Sequence, residues 1–396
     1  MKIKRLVKSA QKMLRKTRVH GLAAARELAW ARSRLNLPKN EVFALTDSDP
    51  SVRVVTVDPP EDFERTVPLM PGEIEPHEMF LKERRGQFPA SLVAEFQNGR
   101  FWGFYGGSVF TADGRLVPEL SKDVWGPHLH SAFVRARLSK PRDLPGLTLS
   151  LVTPEAAANY HHWTIDLLPR AGLAKRAGYP LESFDHILIK DRGSRFQKEA
   201  LQRLGIDEKK IIHVDDHLHV QCDRLVVPSV RHDNLLVNRQ DMEFSRHLFL
   251  DEKDVPAKPM RRLYVGRADA AFRRVTNNAE LLNVLHAYGF EEVAMSKMTV
   301  AEQAKIFAES EIIVGPNGSA LANLIFANPK TRVIEFFAPS WVVGYNWMIC
   351  ANFGLSYTAI IGAGARPPPG ALPHGIKDDI TIDLALLKAV IENSPS

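Results

Sequence analysis

The sequence has few cysteines and no long apolar run. Only Cys222 and Cys350 occur among 396 residues, which is too few for a disulfide framework, and they lack the paired spacing of a zinc site. No run of about 18 apolar residues occurs, so the sequence predicts no transmembrane helix. The start MKIKRLVKSAQKMLRK is interrupted by basic residues, unlike the apolar core of a secretory signal. These absences predict a reduced, cytoplasmic protein.

Several motifs of common enzyme classes are also missing. There is no GxSxG and no P-loop, which excludes the α/β-hydrolase type of serine enzyme and Walker-type ATPases. GxGxxG is absent too, which counts against a nicotinamide-dependent oxidoreductase. The segment HVDDHLHV (213–220) is rich in metal-ligand residue types, but no helical HxxxH fixes a coordination geometry. We therefore expect loop histidines there, as in PHLH (127–130), and no metal site.

Positive charge is concentrated at the N-terminus. The whole chain has 52 basic and 46 acidic residues, an excess too mild to indicate nucleic-acid binding. Residues 1–39 contain twelve Lys and Arg against Glu27 alone, a net +11 that leaves −5 for the rest. Apolar residues recur there at helical spacing, which predicts a basic amphipathic helix over 1–40. Its first 20 residues suit an anionic membrane surface; packing on the protein itself or contact with RNA are the alternatives.

The first half of the remaining chain predicts a mixed α/β region. Residues 41–90 are rich in Pro, Asp and Glu, and we expect mostly irregular structure. Short apolar runs broken by Asn-Gly, Gly-Gly and Asp-Gly predict an antiparallel β-meander over 92–118. Helices then alternate with short apolar strands over 153–250, which is typical of parallel βαβ units. The segment 41–255 is thus predicted to be one domain.

The second half repeats the alternation after a charged, proline-containing linker at 251–260. Strands are predicted at 261–266, 291–295, 311–315 and 331–337, with helices between them. This order is typical of a doubly wound nucleotide-binding domain, predicted over 256–364. We expect residues 365–396 to form a loop and a helix that returns to the first domain.

The segment TPEAAANYHHWTIDLLPR (153–170) holds the first set of candidate site residues. Thr153 suits a helix N-cap, and Pro169 is expected to end or kink the helix after Leu168. Asn159, His162 and Asp166 then lie on one face of an otherwise apolar helix. Polar groups on this face need hydrogen-bond partners or a solvent-filled cleft, because burying them unpaired costs free energy. A substrate pocket is one interpretation, and a polar helix side satisfied by local contacts is the other.

A second set follows the strands of the second half. VGPNGSALAN (314–323) runs from a strand through Gly315 and Gly318 into a helix, whose N–H groups and dipole suit an anion. GRADAAFRRVTNN (266–278) carries Arg267, Arg273 and Arg274, which suit a diphosphate, although such arginines are also common on solvated rims. We call residues 315–319 the glycine turn. Glu335, on the strand that follows it, is a candidate to accept hydrogen bonds from ribose hydroxyls.

Together these stretches resemble glycosyltransferase family 61, which includes bacterial capsular-polysaccharide biosynthesis proteins and eukaryotic transferases of xylose and N-acetylglucosamine. The resemblance covers about Asn159 to Glu335 and continues more loosely to the end. It rests on NYHHW…D..P at 159–169, an arginine-rich loop ending in Asn277, the helix around Gln303 and Phe307, and VGPNGSALAN..F followed by VIEFF. These motifs agree with the family in order and in spacing.

The resemblance implies a GT-B fold, with two Rossmann-like domains facing each other across a cleft. It also implies an inverting transfer from a nucleotide sugar, in which an acceptor hydroxyl attacks the anomeric carbon as the nucleotide diphosphate leaves. Asp166 is then the expected base, with His162 one turn away and Asn159 in the cleft. Fixed donors replace a divalent metal, and no cofactor is expected. The implied donor-binding residues are Arg267, Arg273, Asn277, Gly315, Asn317, Gly318, Ser319, Asn323 and Glu335.

Two positions depart from the family pattern. Asn317-Gly318-Ser319 stands where the family usually has His-Gly-Ala, and Asn278 follows Asn277 where the family favours glutamate. Asparagine donates hydrogen bonds but carries no proton or charge, so only a binding role is expected at 317. The leading hypothesis is a cytoplasmic transferase of surface polysaccharide synthesis, peripheral on the membrane, with a lipid-linked acceptor. The alternative is a non-catalytic partner that binds sugar or nucleotide.

Overall fold

The computed structural model describes residues 35–39, 42–122, 130–135, 137–229, 235–267 and 270–392. The predicted arm over 1–40 therefore lies almost wholly outside the described residues. The strands are β1 Val52–Asp58, β2 Glu61–Glu64, β3 Arg85–Phe88, β4 Ser91–Gln97, β5 Arg100–Trp102, β6 Ser108–Phe110, β7 Arg142–Ser150, β8 His186–Ile189, β9 Ile211–His213, β10 His219–Pro228, β11 Arg261–Val265, β12 Glu291–Val293, β13 Ser310–Pro316, β14 Arg332–Phe337 and β15 Ser356–Ile361.

Helices cover the faces of the sheets and supply the site. The α-helices are α1 Glu78–Lys82, α2 Ser131–Val134, α3 Tyr160–His162, α4 Leu168–Arg176, α5 Arg195–Arg203, α6 Arg239–Phe249, α7 Asn278–Ala287, α8 Val300–Ala308, α9 Tyr345–Phe353 and α10 Leu384–Glu392. A π-helical turn, Trp163–Leu167, joins α3 to α4. The 3₁₀ helices are Pro118–Leu120, Leu181–Ser183, Glu208–Lys210, Glu252–Asp254, Met295–Lys297 and Ser319–Phe326. No helix among these described segments is long and apolar enough to cross a bilayer.

The first sheet is mixed and has eight strands. Its main path runs β1-β4-β10-β7-β8-β9, while β5 and β6 form a branch on β10. The pairings of β7, β8, β9 and β10 are parallel, as the alternation of helices and strands predicts. The expectation of mostly irregular structure at 41–90 is wrong in part, because β1 pairs with β4 along its length. This edge strand was missed because Arg53 and Thr56 interrupt its valines.

The predicted meander is only half right. Asn98-Gly99 does not turn the chain back, because β4 and β5 both pair antiparallel with β10 in one continuous register. Asn98 has φ 53°, so the pair kinks a single long strand instead of closing a hairpin. The chain does reverse between β5 and β6, which pair with each other, and the predicted turn at Asp113-Gly114 is present.

The second sheet confirms the doubly wound pattern predicted for the second half. All five strands are parallel, in the order β12-β11-β13-β14-β15. The chain therefore leaves β11 toward one side of the sheet and β13 toward the other. In such sheets the crevice outside the carboxyl ends of these two strands is where ligands bind. β15 had not been predicted.

One apolar cluster joins the two sheets. It combines strand residues of the first sheet such as Leu149 and Ile187 with Val265 and Ile313 of the second, through helices that pack between them. The sheets therefore share a core, and the domain limits at 255 and 364 remain predictions. The helix α10 does not return to the first sheet: Leu387 and Ile391 pack in a cluster of second-half residues. Contacts with the first half are nevertheless present: Arg366, in the loop before α10, pairs with Glu73, and Leu386 of α10 lies against Gly72.

Candidate functional site

A cavity of about 440 Å³ opens at the carboxyl ends of β11 and β13, the crevice that the strand order predicts. One wall comes from the segment that enters α3, and the other from the loops that follow the second-sheet strands. The lining residues are Glu155, Asn159, His161, His162, Arg273, Asn317, Gly318, Ser319, Trp341, Tyr345, Asn346 and Ile376.

The first wall begins at a helix N-terminus that lies later than predicted. Asn159, not Thr153, caps the helix, and its side chain accepts a hydrogen bond of 2.9 Å from His161 N. Pro169 does not end the helix, which continues to Arg176. Proline has no N–H, and the π turn before it carries the helix past this missing donor: Leu168 N bonds to Trp163 O, five residues back. Asp166 lies within that turn.

His162 is held between two carboxylates. Its Nδ1 lies 2.6 Å from Asp166 Oδ2, and its Nε2 lies 2.8 Å from Glu155 Oε2. Burial opposes the charged imidazole, but the bonds to Asp166 and Glu155 outweigh it and raise the pKa of His162 to about 9. His162 is therefore a cation at neutral pH. Asp166 lies behind it, only 10% exposed, and is not among the described residues that line the cavity.

His161 lies next to His162 but has the opposite character. It is 6% exposed, and its ring stands edge-on to that of His162 at a centroid distance of 5.5 Å. Burial and the neighbouring His162 lower the pKa of His161 to about 4. One neutral and one cationic imidazole thus share this wall. Tyr345, at the start of α9, packs against the His161 ring.

The second wall is built around Gly318, which precedes the 3₁₀ helix Ser319–Phe326. The helix predicted after this turn is a 3₁₀ helix, and Gly318 has extended backbone with φ −180°. Glycine at this position leaves room for the Arg267 guanidinium, because a Cβ there would lie 1.8 Å from Arg267 Nη1. Arg273 Nε donates to Asn317 O at 3.0 Å, and its Nη1 donates to Ile376 O. Arg267 and Arg273 are therefore both fixed against this turn.

Asn317 is oriented from below by a buried carboxylate. Glu335 is 0% exposed and accepts hydrogen bonds of 2.7 Å from the amides of Asn317 and Asn346, and one from the Tyr357 hydroxyl. Burial raises the pKa of Glu335 to about 7 despite these bonds. Trp341 Nε1 completes the arrangement by donating to Asn317 Oδ1 at 3.3 Å. Glu335 therefore supports two cavity residues and does not itself reach the cavity, so the expected contact with ribose is not supported.

Four further predicted residues serve the fold instead of the cavity. The side-chain amide of Asn277 donates a hydrogen bond to Ile382 O and accepts one from Ile382 N. Asn323 is fully buried and bridges Tyr160 and Gln303. Gly315 lies within β13, where a Cβ would approach Val265 O to 2.9 Å. Arg274 pairs with Asp379 at 3.4 Å.

Sequence reasoning missed Glu155, Trp341 and Tyr345. Glu155 had been absorbed into the expected helix, whereas it lies in the turn before the helix with φ 66°. Pro154 directly before it was a signal that this turn precedes α3. Trp341 and Tyr345 belong to a stretch whose helix had not been predicted, so nothing placed them near the glycine turn.

Groups that suggest a metal centre do not form one in the described part of the chain. No three His, Cys, Asp or Glu side chains there are arranged to hold an ion. In the segment 213–220, His213 pairs with Asp191, Asp216 with Lys190, and His219 Nδ1 with Ser139 O. His130 caps the short helix α2 through a bond from Ala132 N. Cys222 and Cys350 are both buried and free.

Comparison with known proteins agrees with the motifs. No curated protein matches the chain. Residues 160–334, however, match the family model described as Glycosyltransferase 61. The match begins at Tyr160, the first residue of α3, and ends within β14, so it includes His162, Asp166, Arg273 and the glycine turn. The match confirms the resemblance to glycosyltransferase family 61 over residues 160–334, and the family's description is that of a glycosyltransferase.

Proposed function

We propose that the cavity binds a nucleotide sugar and a saccharide acceptor and transfers the sugar with inversion at the anomeric carbon. The observation that carries this proposal is the meeting, in one cavity, of a carboxylate–imidazole wall and an anion-binding wall. An inverting transfer needs a proton acceptor on one face of the sugar and stabilisation of the leaving diphosphate on the other. The family assignment supplies the reaction class.

The donor's diphosphate is assigned to the second wall. Arg273 lines the cavity, Arg267 lies against Gly318, and Ser319, where the 3₁₀ helix begins, also lines the cavity, so that a helix N-terminus suited to an anion borders it. Arginine binds phosphate oxygens through two parallel hydrogen bonds. Because these donors are already fixed, charge that develops on the diphosphate is met without a metal ion, and we propose a metal-independent transfer.

The acceptor hydroxyl is assigned to the first wall, near His162. Asp166 had been the expected base, but its carboxylate bonds to the His162 ring and is not among the described residues that line the cavity. We therefore propose that Asp166 acts through His162 as a positioning residue. His161, Tyr345 and Trp341 border the space between the walls, where aromatic faces suit the C–H surface of a sugar ring.

The biological setting remains a further part of the proposal. A two-domain GT-B arrangement, a role in surface or capsular polysaccharide synthesis, and a cytoplasmic location rest on the family resemblance. A lipid-linked acceptor, reached through the basic residues of 1–20, rests on the charge pattern of that segment. Binding to anionic liposomes, compared with binding to RNA, tests the segment directly.

A panel of UDP-, GDP- and CMP-sugars tests the core of the proposal. A ligand that binds only the native state raises its stability, so one donor class should raise the melting temperature of the full chain. That donor is then incubated with saccharide acceptors, and released nucleotide and new glycoside are measured together. Binding without turnover would favour the non-catalytic alternative. No stabilisation by any donor would contradict the proposed function.

A further inference from the structure

Two non-glycine residues with left-handed backbone meet at the edge of the cavity. Tyr105 has φ 52° and Glu155 has φ 66°, and the Tyr105 hydroxyl donates to Glu155 Oε1 at 3.1 Å. Such conformations cost of order 1 kcal/mol or more each for residues that carry a Cβ, and they concentrate at functional sites. Their side chains point at each other across the rim of the first wall.

The surrounding structure holds this strained pair in place. Lys190 Nζ donates to Tyr105 O at 2.9 Å and to Gly103 O at 3.1 Å, and it also pairs with Asp216. The carbonyl of Glu155 accepts the backbone N–H of Ala158 and of Asn159, the residue that caps α3. The Glu155 carboxylate is therefore fixed from both the β5–β6 loop and the helix entry.

Resting on the proposed function, we propose that Glu155 is the catalytic base of the transfer. The O–H bond of the acceptor breaks and its proton passes to a carboxylate oxygen of Glu155. The acceptor oxygen forms a bond to the anomeric carbon, whose bond to the phosphate oxygen breaks with the electron pair leaving on the nucleoside diphosphate. Glu155 then returns the proton to solvent.

The other candidate bases on this wall are either paired at both nitrogens or do not line the cavity. Both ring nitrogens of His162 already face carboxylates, at 2.6 and 2.8 Å, so neither has a lone pair directed at a substrate. Asp166 lies behind that ring. The Glu155 side chain, by contrast, is 33% exposed and lines the cavity, and a carboxylate oxygen has room for more than one hydrogen bond.

His162 is assigned to hold the Glu155 carboxylate in place through its Nε2–H. The groups that face the His162 ring are Glu155, Asp166 and the neutral His161, while Arg170 lies beyond Asp166. Because the pKa of His162 is raised to about 9, the imidazolium persists through neutral pH and keeps a positive charge beside Glu155. Tyr105 donates a second hydrogen bond to the same carboxylate.

The first test compares Glu155→Gln with Glu64→Gln, a matched change at an exposed glutamate paired with Arg85. Glu155→Gln should lower kcat about 10²- to 10⁴-fold while nucleotide binding stays within about twofold of wild type. Glu64→Gln should match the wild type in both. Formate should restore part of the turnover in Glu155→Ala and none in Asp166→Asn. Full activity in Glu155→Gln, in a protein whose wild type turns over, would overturn the proposal.

The second test is the pH dependence of kcat/KM in the wild type. If Glu155 is the base, the rate should be level between about pH 7 and pH 9, because a carboxylate is already ionised there while His162 still carries its proton. A rate that instead climbs tenfold per pH unit up to pH 9 would make the neutral imidazole the base and overturn the assignment. A wild-type protein with no turnover on any donor is a separate result, which contradicts the proposed function itself.

Discussion

The two walls of the cavity share one construction and differ in one respect. Behind each lies a buried carboxylate that orients the residues in front of it: Asp166 behind His162, and Glu335 behind Asn317 and Asn346. Asp166 bonds to a group that can take a proton, and it helps to make that group a cation. Glu335 bonds to two neutral amides and a tyrosine, and burial raises its own pKa to about 7.

This difference separates proton chemistry from anion binding. The first wall holds the His162 imidazolium between two carboxylates. Its charge therefore changes when one of these groups gains or loses a proton. The second wall uses neutral amides to fix the glycine turn, so the positive charge that the donor meets comes from Arg273 and Arg267. A change behind the first wall should therefore affect turnover, and a change in front of the second wall should affect donor affinity.

The largest effect is expected from Asp166→Asn. Without the charged partner His162 loses much of its positive charge, and turnover should fall about 10²-fold or more with donor binding retained. Glu335→Gln is the matched control behind the other wall, because a glutamine oxygen still accepts from Asn317 and Asn346. The turnover of Glu335→Gln should stay within about tenfold of the wild-type value. Steady-state kinetics on both variants measures this, and equal losses would mean that the walls are not distinct.

A second prediction concerns stability between pH 7 and pH 9.5. The folded-state pKa of His162, about 9, lies above the ordinary value of 6.5, so its contribution is present below about pH 6.5 and is lost as pH rises through 9. The destabilisation caused by His162→Gln should therefore shrink by on the order of 2 kcal/mol over this range. Urea unfolding at both pH values measures it.

His219→Gln is the control for that titration. Burial lowers the pKa of His219 to about 4, so this histidine is neutral in both folded and unfolded chains above pH 7. The free-energy difference between His219→Gln and wild type should stay constant from pH 7 to pH 9.5. A constant difference for His162→Gln as well would show that His162 is not held as a cation.

The smallest effect is expected from Gly318→Ala. Its extended backbone suits any residue, but the new Cβ would displace the Arg267 guanidinium from the turn. Donor affinity should fall about tenfold, which is about 1.4 kcal/mol. Arg267→Ala should lose a similar amount, and the double variant should lose no more than either single change, because both remove the same contact. Additive losses would show that Gly318 acts independently of Arg267.

Much of the fold was predictable because its signals are local. The predicted strands at 261–266, 291–295, 311–315 and 331–337 are apolar runs set between helical patterns, and the structure has parallel strands at all four. The errors fall where tertiary contacts override local signals. Asn98-Gly99 is a hairpin signal, yet pairing with β10 keeps the strand in register. For α10, the apolar face was recognisable from the spacing of its residues, but spacing does not say which sheet the helix covers.

Several residues of the site were predicted correctly, but the role of each residue was harder to predict. His162, Arg273 and the turn at 317–319 do line one cavity, whereas Asn277, Asn323 and Glu335 make their contacts elsewhere. Residue spacing predicts which side chains share a helix face, but not which of them reaches the cavity. Asp166 lies in the π turn, and it bonds to His162 from the side away from the cavity lining. Glu155 was missed because the helix was expected to begin at Thr153, which placed Glu155 inside the helix and not in the turn before it.

The division of labour between the walls is tested most directly by calorimetric titration of a nucleoside diphosphate into wild type, Arg273→Ala and Asp166→Asn. The account predicts that Arg273→Ala binds at least tenfold more weakly, because its guanidinium lines the diphosphate side, and that Asp166→Asn binds like the wild type. Wild-type affinity in Arg273→Ala, or equal weakening in both variants, would contradict it.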